Sequence, residues 1–273
     1  MTANGNESRE DVAFLSGAAL SHLHFVLGLD IVPQELMRDR LALRAAESCI
    51  AHSGRPERAG ELRDTIAFLQ PGDSPGPAGD IYLSWRRAVE RPNSLEALHR
   101  SLVAHTPVQI AKWLGPGSAA PVTRAATVFE TIMAEAPRQE VSALILADAA
   151  LAQGLGWKHI VPLLGEGLKR SDLLLRGDEL LVACHRAATK SAIRAARLAA
   201  DLSRRSEHIK SVAPKLRSKG AGAAVEVLLT QDAVAPSALP LPNRAARRLC
   251  DRLIDLGAVR ELTGRDTFRL YGV

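Results

Sequence analysis

From Asp178 to Val212 the chain runs about thirty-five residues without a proline or a glycine, its longest uninterrupted helical pattern. Leu180, Leu181, Cys184, Ala188, Ala192, Ala195, Leu198, Ala199 and Leu202 recur along one side at helical spacing. At 1.5 Å per residue this is a rod of roughly 50 Å, with Lys190 to Ser191 the place where a bend or break would fall. Other helices must pack along so long an element, and its many alanines let them approach closely. Arg194, Arg197, Arg204, Arg205 and Lys210 also recur on it, interleaved with Asp201 and Glu207. A solvent face with i to i+3 and i+4 ion pairs is the simpler reading; a second basic surface is the alternative.

The preceding residues read as further helices. With 47% hydrophobic and 24% charged residues in 273, the chain has a globular composition and suits one large or two modest domains. Aromatic residues are only 4%, while Ala and Leu dominate, which favours helix packing over sheet. Periodicity and breakers predict helices over Asp11 to Leu27, Pro33 to Ser53, Pro56 to Leu69, Asp80 to Arg91, Ser94 to His105, Pro107 to Leu114, Pro121 to Ala136 and Val141 to Gln153. The stretch 70–80, QPGDSPGPAGD, is the richest in Gly and Pro and is expected to be a rigid surface loop; it lacks the GK[ST] step of a phosphate cradle. VSALILADAALAQ is apolar almost all round, as a central helix must be. Asp148 within it has to meet an arginine or backbone amides, because an unpaired buried carboxylate is expensive. Tyr82 and Trp85, three apart, are placed to anchor packing, and Trp157 and His159 to pack a helix start. His22 and His24 lie two apart and point to different faces, so they do not share a metal. Cys49, Cys184 and Cys250 are far apart, odd in number and each inside a helix, as small buried hydrophobes in a reducing compartment would be.

The tail has a different character. A helix over Arg244 to Leu256 is bounded by Asn243 as a cap and by Gly257, which can take the left-handed closing conformation. Ala246, Leu249, Cys250, Leu253, Ile254 and Leu256 fall on its core side, and Arg244, Arg247, Arg248, Asp251, Arg252 and Asp255 on the other. Two β-prone runs follow, Ala258 to Leu262 and Thr267 to Tyr271, joined by Thr263-Gly264-Arg265-Asp266, where Gly264 supplies the positive φ of a tight turn. With a first helix over Ala221 to Leu229 and one turn at Pro236 to Leu239, the order is that of a winged helix-turn-helix with a β-hairpin wing. The expected fold is therefore all-α: an irregular multi-helix domain over 11–212, then a small winged helix over 213–273.

Charge concentrates in the same place. From Ile209 onward there are 11 Lys/Arg against 6 Asp/Glu, whereas Met1 to His208 holds 24 of each, so the net charge of +5 belongs to the tail. A basic stripe on an exposed helix face is the electrostatic footprint of phosphate contact, because Lys and Arg displace condensed counterions from a duplex. Arg244, Arg247, Arg248 and Arg252 on the helix, with Arg265 and Arg269 on the wing, are the candidate DNA-binding residues. Each also has a bland reading, as a solvated charge on a small domain.

The remaining expectations come by exclusion. No apolar run reaches the roughly eighteen residues a membrane span needs, and MTANGNESRED lacks a basic segment followed by an apolar core, so a cytoplasmic protein without membrane association is expected. GxSxG, HExxH, CxxC and Walker motifs are absent, and no residue set implies a metal or a cofactor. DNA binding is the leading reading, with dimerisation or ligand sensing left to the helical domain. The competing reading is a protein-interaction module whose winged helix packs on the body or a partner; it predicts a buried or covered basic helix face, and Arg248 and Arg252 paired with acids of residues 1–208 would favour it. An enzyme, the least favoured, requires Asp148, His159 or His185 to line a common pocket.

Two resemblances bear on these readings. LLTQDAV followed by RAARRLCDRLIDLGAVRELTGRDTFRLY resembles the winged helix that closes many Fic-type adenylyltransferases, over about fifty residues. The Fic signature HxFxxGNGRxxR is absent, so that resemblance implies a winged helix and no AMP transfer. FLSGAAL, LALRAAESC, DSPGPAGDIYLSWR, LADAALAQGLGW, SVAPKLRSKGAGAAVEVLL and LGAVRELTGRDTFRLYGV are similar to an uncharacterised alphaproteobacterial family, frequent in rhizobia and often plasmid-borne, known as domain of unknown function 1403. This resemblance runs from Phe14 onward and implies a helical body with a winged-helix tail.

Overall fold

The computed structural model describes residues 8–216, 220–265 and 267–273. Among them the chain is mostly helical, with twelve α-helices and two very short strands. In order the helices are α1 (Arg9–Leu27), α2 (Gln34–His52), α3 (Ala59–Ala67), α4 (Gly76–Glu90), α5 (Leu95–Ser101), α6 (Pro107–Leu114), α7 (Pro121–Glu135), α8 (Glu140–Gly154), α9 (Leu164–Gly167), α10 (Gly177–Val212), α11 (Ala221–Leu228) and α12 (Asn243–Asp255). No helix among the described residues is long and apolar enough to cross a membrane.

The long proline-free run forms one helix, α10, with no break at Lys190 or Ser191. Its alanine stripe lets α1 and α9 lie against it. The approach of α9 is close enough that a Cβ on Gly167 would stand 2.6 Å from Ser191 Oγ and 2.9 Å from the Ala187 carbonyl oxygen. Helix α8 is central: every side chain from Ser142 to Ala152 is buried. Trp85 is fully buried and donates its indole N–H to Cys49 Sγ at 3.4 Å, Tyr82 is buried near it, and all three cysteines are buried.

Two local expectations need correction. The stretch 70–80 is not a loop throughout, because α4 already begins at Gly76. Pro75 occupies the cap and Pro77 the first turn, where a missing amide costs nothing. Gly79 is needed there, since a Cβ on it would meet Pro75 Cβ at 2.6 Å. In the tail, α12 starts at Asn243 with Pro242 as its cap residue, and the Asn243 side chain makes no capping bond.

After α11 and a 3-10 turn at Pro236–Ala238, α12 ends as expected at Gly257, whose φ is +65°. Strand β1 (Arg260–Glu261) pairs antiparallel with β2 (Tyr271–Gly272), in the register Arg260 to Gly272 and Glu261 to Tyr271. Val234 bridges the other side of Tyr271 through N–H to O bonds of 2.8 and 2.9 Å. The paired segments are shorter than the β-prone runs, and one cause is Phe268, which takes a φ of +55° and breaks the extended backbone of the second run. Gly264 does supply a positive φ, +63°. Asp266 and the central residues of the basic linker, 217–219, lie outside the described residues. The buried apolar side chains of the tail, including Leu228, Ala246, Leu249 and Leu253, belong to the same cluster as those of the body.

Candidate nucleic-acid interface

Helix α12 sorts its residues by face. Ala246, Leu249, Cys250 and Leu253 are buried, whereas Arg244, Arg247, Arg248, Asp251, Arg252 and Asp255 are exposed. Ile254, expected on the core side, is 36% exposed, because it lies at the edge of the apolar stripe. Among the described residues, Arg244, Arg247, Arg248 and Arg252 have no carboxylate within ion-pair distance. Pairing of Arg248 and Arg252 with acids of the body, which would have favoured packing of the tail on the body, is not present among the described residues; packing on a partner is a separate case.

The arginines between β1 and β2 sit differently. Arg265 forms an ion pair with Asp64 of α3. Arg269 donates from Nε to the Arg265 carbonyl at 2.8 Å. Phe268 meets Phe68 edge to face, with ring centroids 5.5 Å apart, so the segment between β1 and β2 rests on the end of α3. Glu261 accepts hydrogen bonds from the amides of Thr263 at 2.7 Å and Gly264 at 3.0 Å, which holds the turn closed. Between α12 and the segment 267–271 lies a groove of about 570 Å³, with Asn243, Arg247 and Asp251 on one wall and Phe268, Arg269 and Tyr271 on the other. Of the six sequence-predicted arginines, the structure brings Arg247 and Arg269 to this groove. Arg244, Arg248 and Arg252 are spread on the exposed face of α12, and Arg265 turns toward the body.

What fixes this surface in place was not singled out from the sequence. Asp232, in the segment between α11 and α12, is 1% exposed and is held by the guanidinium groups of Arg40 and Arg63. Its own amide donates to Asp39 Oδ2 at 2.9 Å, while Asp39 Oδ1 lies 3.0 Å from Arg86 Nε. Arg40 also reaches the backbone oxygen of Val273 at 3.4 Å, so one buried arginine grips both the Asp232 segment and the residue that follows β2. Burial opposes the ionisation of Asp232, yet the hydrogen bonds and charges of Arg63 and Arg40 keep its carboxyl below the usual carboxylate range. For Asp39 burial prevails over Arg86, and the carboxyl is pushed up. The available signal was Asp39 and Arg40 standing in phase with Leu36, Leu43 and Met37 on the buried side of α2. Charged residues at core positions need partners, and the sequence did not reveal that theirs lay about 190 residues away.

The residues of the enzyme reading are each engaged separately. Asp148 accepts from three successive amides, Leu163 at 3.1 Å, Leu164 at 2.8 Å and Gly165 at 2.9 Å, as the sequence required of a buried carboxylate. Burial nevertheless pushes it up to about 7. His159 Nδ1 lies 3.3 Å from the Val89 carbonyl, and His185 Nδ1 is 2.6 Å from Ser16 Oγ. His24 accepts the Trp157 indole N–H at 2.9 Å, a packing contact at the edge of α1. Among the described residues no three His, Cys, Asp or Glu side chains stand together as a metal site.

Compared with known families, residues 2–273 match the model described as Protein of unknown function (DUF1403). No curated protein matches the chain.

Proposed function

We propose that this chain, which belongs to the DUF1403 family over residues 2–273, binds duplex DNA through its tail acting as a winged helix-turn-helix. The tail, 213–273, is the binding unit in this reading, and residues 11–212 are the body that carries it. The observation that carries the proposal is the exposed face of α12, where Arg244, Arg247, Arg248 and Arg252 stand without carboxylate partners among the described residues. Two features support it: the order α11, turn, α12, β1, β2, and the pairing of Val234 with Tyr271 beside β1 and β2.

In a duplex complex α12 enters or lies along the major groove. Arg247, Arg248 and Arg252 take base edges or flanking phosphates, and Arg244 meets the backbone near the helix start. Arg269, in the groove beside Arg247, contacts the neighbouring strand. Arg265, itself half-exposed, joins by exchanging Asp64, which is 18% exposed, for a phosphate. A titration of labelled random duplex at low salt tests the reading. The intact chain is expected to bind, and the Arg247→Ala/Arg248→Ala/Arg252→Ala variant to bind at least tenfold more weakly, a loss of about 1.4 kcal/mol or more. Equal affinity of the two proteins removes the proposal.

A second reading has its own observation. Phe14, Phe25, Leu29 and Ile31 are exposed large apolar residues on α1 and the loop after it. They suit a protein contact of the helical body, including a homodimer, which light scattering at increasing concentration would register.

A further inference from the structure

The cleft between α2 and α10 holds polar groups that DNA binding through α12 leaves unused. It is a wide, solvent-open depression of about 640 Å³, lined by Arg44, Arg58, Glu166, Arg194, Arg197 and Asp201 among others. On one side Glu166, from the short helix α9, keeps only 8% of its side chain exposed. Its Oε1 lies 3.3 Å from Arg194 Nε and 4.0 Å from Arg44 Nη1. Neither Arg194 Nε nor Glu166 Oε2 has a hydrogen-bond partner, although both are buried. Arg194 Nε has only the ion pair with Oε1, and Glu166 Oε2 has neither an ion pair nor a hydrogen bond; buried polar atoms of folded proteins are nearly always satisfied, so Oε2 marks a place where a donor is missing.

The surrounding charges say what kind of molecule supplies them. Asp201 is occupied with Arg204 at 3.2 Å and Arg205 at 2.8 Å, and Glu47 faces Arg58 at 3.9 Å. Arg197 is exposed and has no carboxylate within ion-pair distance among the described residues. Arg44 and Arg194 thus share one carboxylate, Glu166, and Arg197 beside them has none within ion-pair distance among the described residues. Three guanidinium groups around a cleft match the oxygens of a phosphate, because their planar forks donate two hydrogen bonds at a time. Glu166 Oε2 requires a donor, which a phosphate dianion cannot give.

We propose that this cleft binds a small phosphate ester with free hydroxyls, of the nucleotide or sugar-phosphate class. Its phosphate lies on Arg44, Arg194 and Arg197, and a hydroxyl donates to Glu166 Oε2. The site contains none of the α12 or hairpin arginines, so it stands or falls independently of the DNA reading.

Calorimetric titration of the full chain at low salt with AMP, ribose 5-phosphate, inorganic phosphate and ribose tests it. At least one ester is expected to bind with a Kd below about 1 mM and about tenfold or more tighter than inorganic phosphate, with ribose inert. Arg194→Gln should weaken the ester about tenfold or more. Glu166→Met should reduce the preference for ester over inorganic phosphate to a few-fold. Arg197→Gln changes an exposed side chain and keeps the test available if a variant at a buried position fails to fold; it too should weaken the ester. AMP binding without ribose 5-phosphate binding assigns the nucleotide class, and the reverse assigns the sugar phosphate. The proposal is overturned if neither ester binds, if inorganic phosphate binds as well as the esters, or if the arginine variants bind as the parent does.

Discussion

Arg40 and Arg63 on one side, and Arg247, Arg248 and Arg252 on the other, carry the same guanidinium in opposite circumstances. The first two have given up much of their water and meet a fixed carboxylate, Asp232, that is itself 1% exposed. The α12 arginines keep their water and have no carboxylate partner among the described residues. Burying a charge demands a geometric partner, so the first group acts on the fold, joining the tail to α2 and α3. A row of exposed and unpaired arginines adds little to stability but retains the capacity to meet a polyanion. Arg265 stands between the two groups: it is paired with Asp64, yet half-exposed.

Substitutions should separate the two groups. The largest effect is expected from Asp232→Ala, which strands Arg40 and Arg63 beside the buried segment. Removing one partner of a buried pair costs roughly 3 to 5 kcal/mol, to be read from urea denaturation. A loss below about 1 kcal/mol would show that the joint is not an energetic anchor. The pH dependence has a definite sign. Because the folded carboxyl of Asp232 lies below the usual range, its stabilisation is fully present above the unfolded value of about 3.9 and is lost as pH falls through the folded value. Asp232→Ala should therefore show a shallower acid loss of stability than the parent.

Gly272→Ala tests the same joint by crowding instead of charge. A Cβ there would stand 2.6 Å from the Asp232 carbonyl oxygen, which is backbone and cannot swing aside, and the expected loss is roughly 1 to 3 kcal/mol. Arg265→Ala should cost about 1 kcal/mol, since Arg265 is half-exposed while its partner Asp64 is mostly buried. Arg248→Ala should leave stability within about 0.5 kcal/mol of the parent. If Arg248→Ala proved as costly as Asp232→Ala, the contrast between the two groups of arginines would fail.

What the sequence made legible follows the range of the interactions concerned. Helix α10, the apolar α8 and the sorted faces of α12 depend on spacings of three and four residues, which the chain displays directly. Asp148 was legible as a demand for partners, since a carboxylate inside an apolar helix must be satisfied, and the amides of Leu163, Leu164 and Gly165 meet that demand. The start of α4 at Gly76 was hidden because prolines that break a helix interior are harmless in its first turn. The shortness of β1 and β2 was hidden by Phe268, a residue whose type gives no warning of a positive φ. The Asp232 joint and the α2/α10 cleft were not legible, because they unite residues from distant parts of the chain and no local pattern reports such meetings.

The most direct test of the central claim is the salt dependence of duplex affinity, measured by fluorescence anisotropy for the intact chain and for Arg247→Ala/Arg248→Ala/Arg252→Ala. If the exposed arginines of α12 lie on phosphates, log affinity falls steeply with log salt, and the variant's slope is shallower by roughly two to three units, about 0.9 for each phosphate that the variant leaves unneutralised. Binding with the same slope in both proteins, or no binding by the intact chain at about 50 mM salt, would contradict the assignment of α12 as the DNA-contacting element.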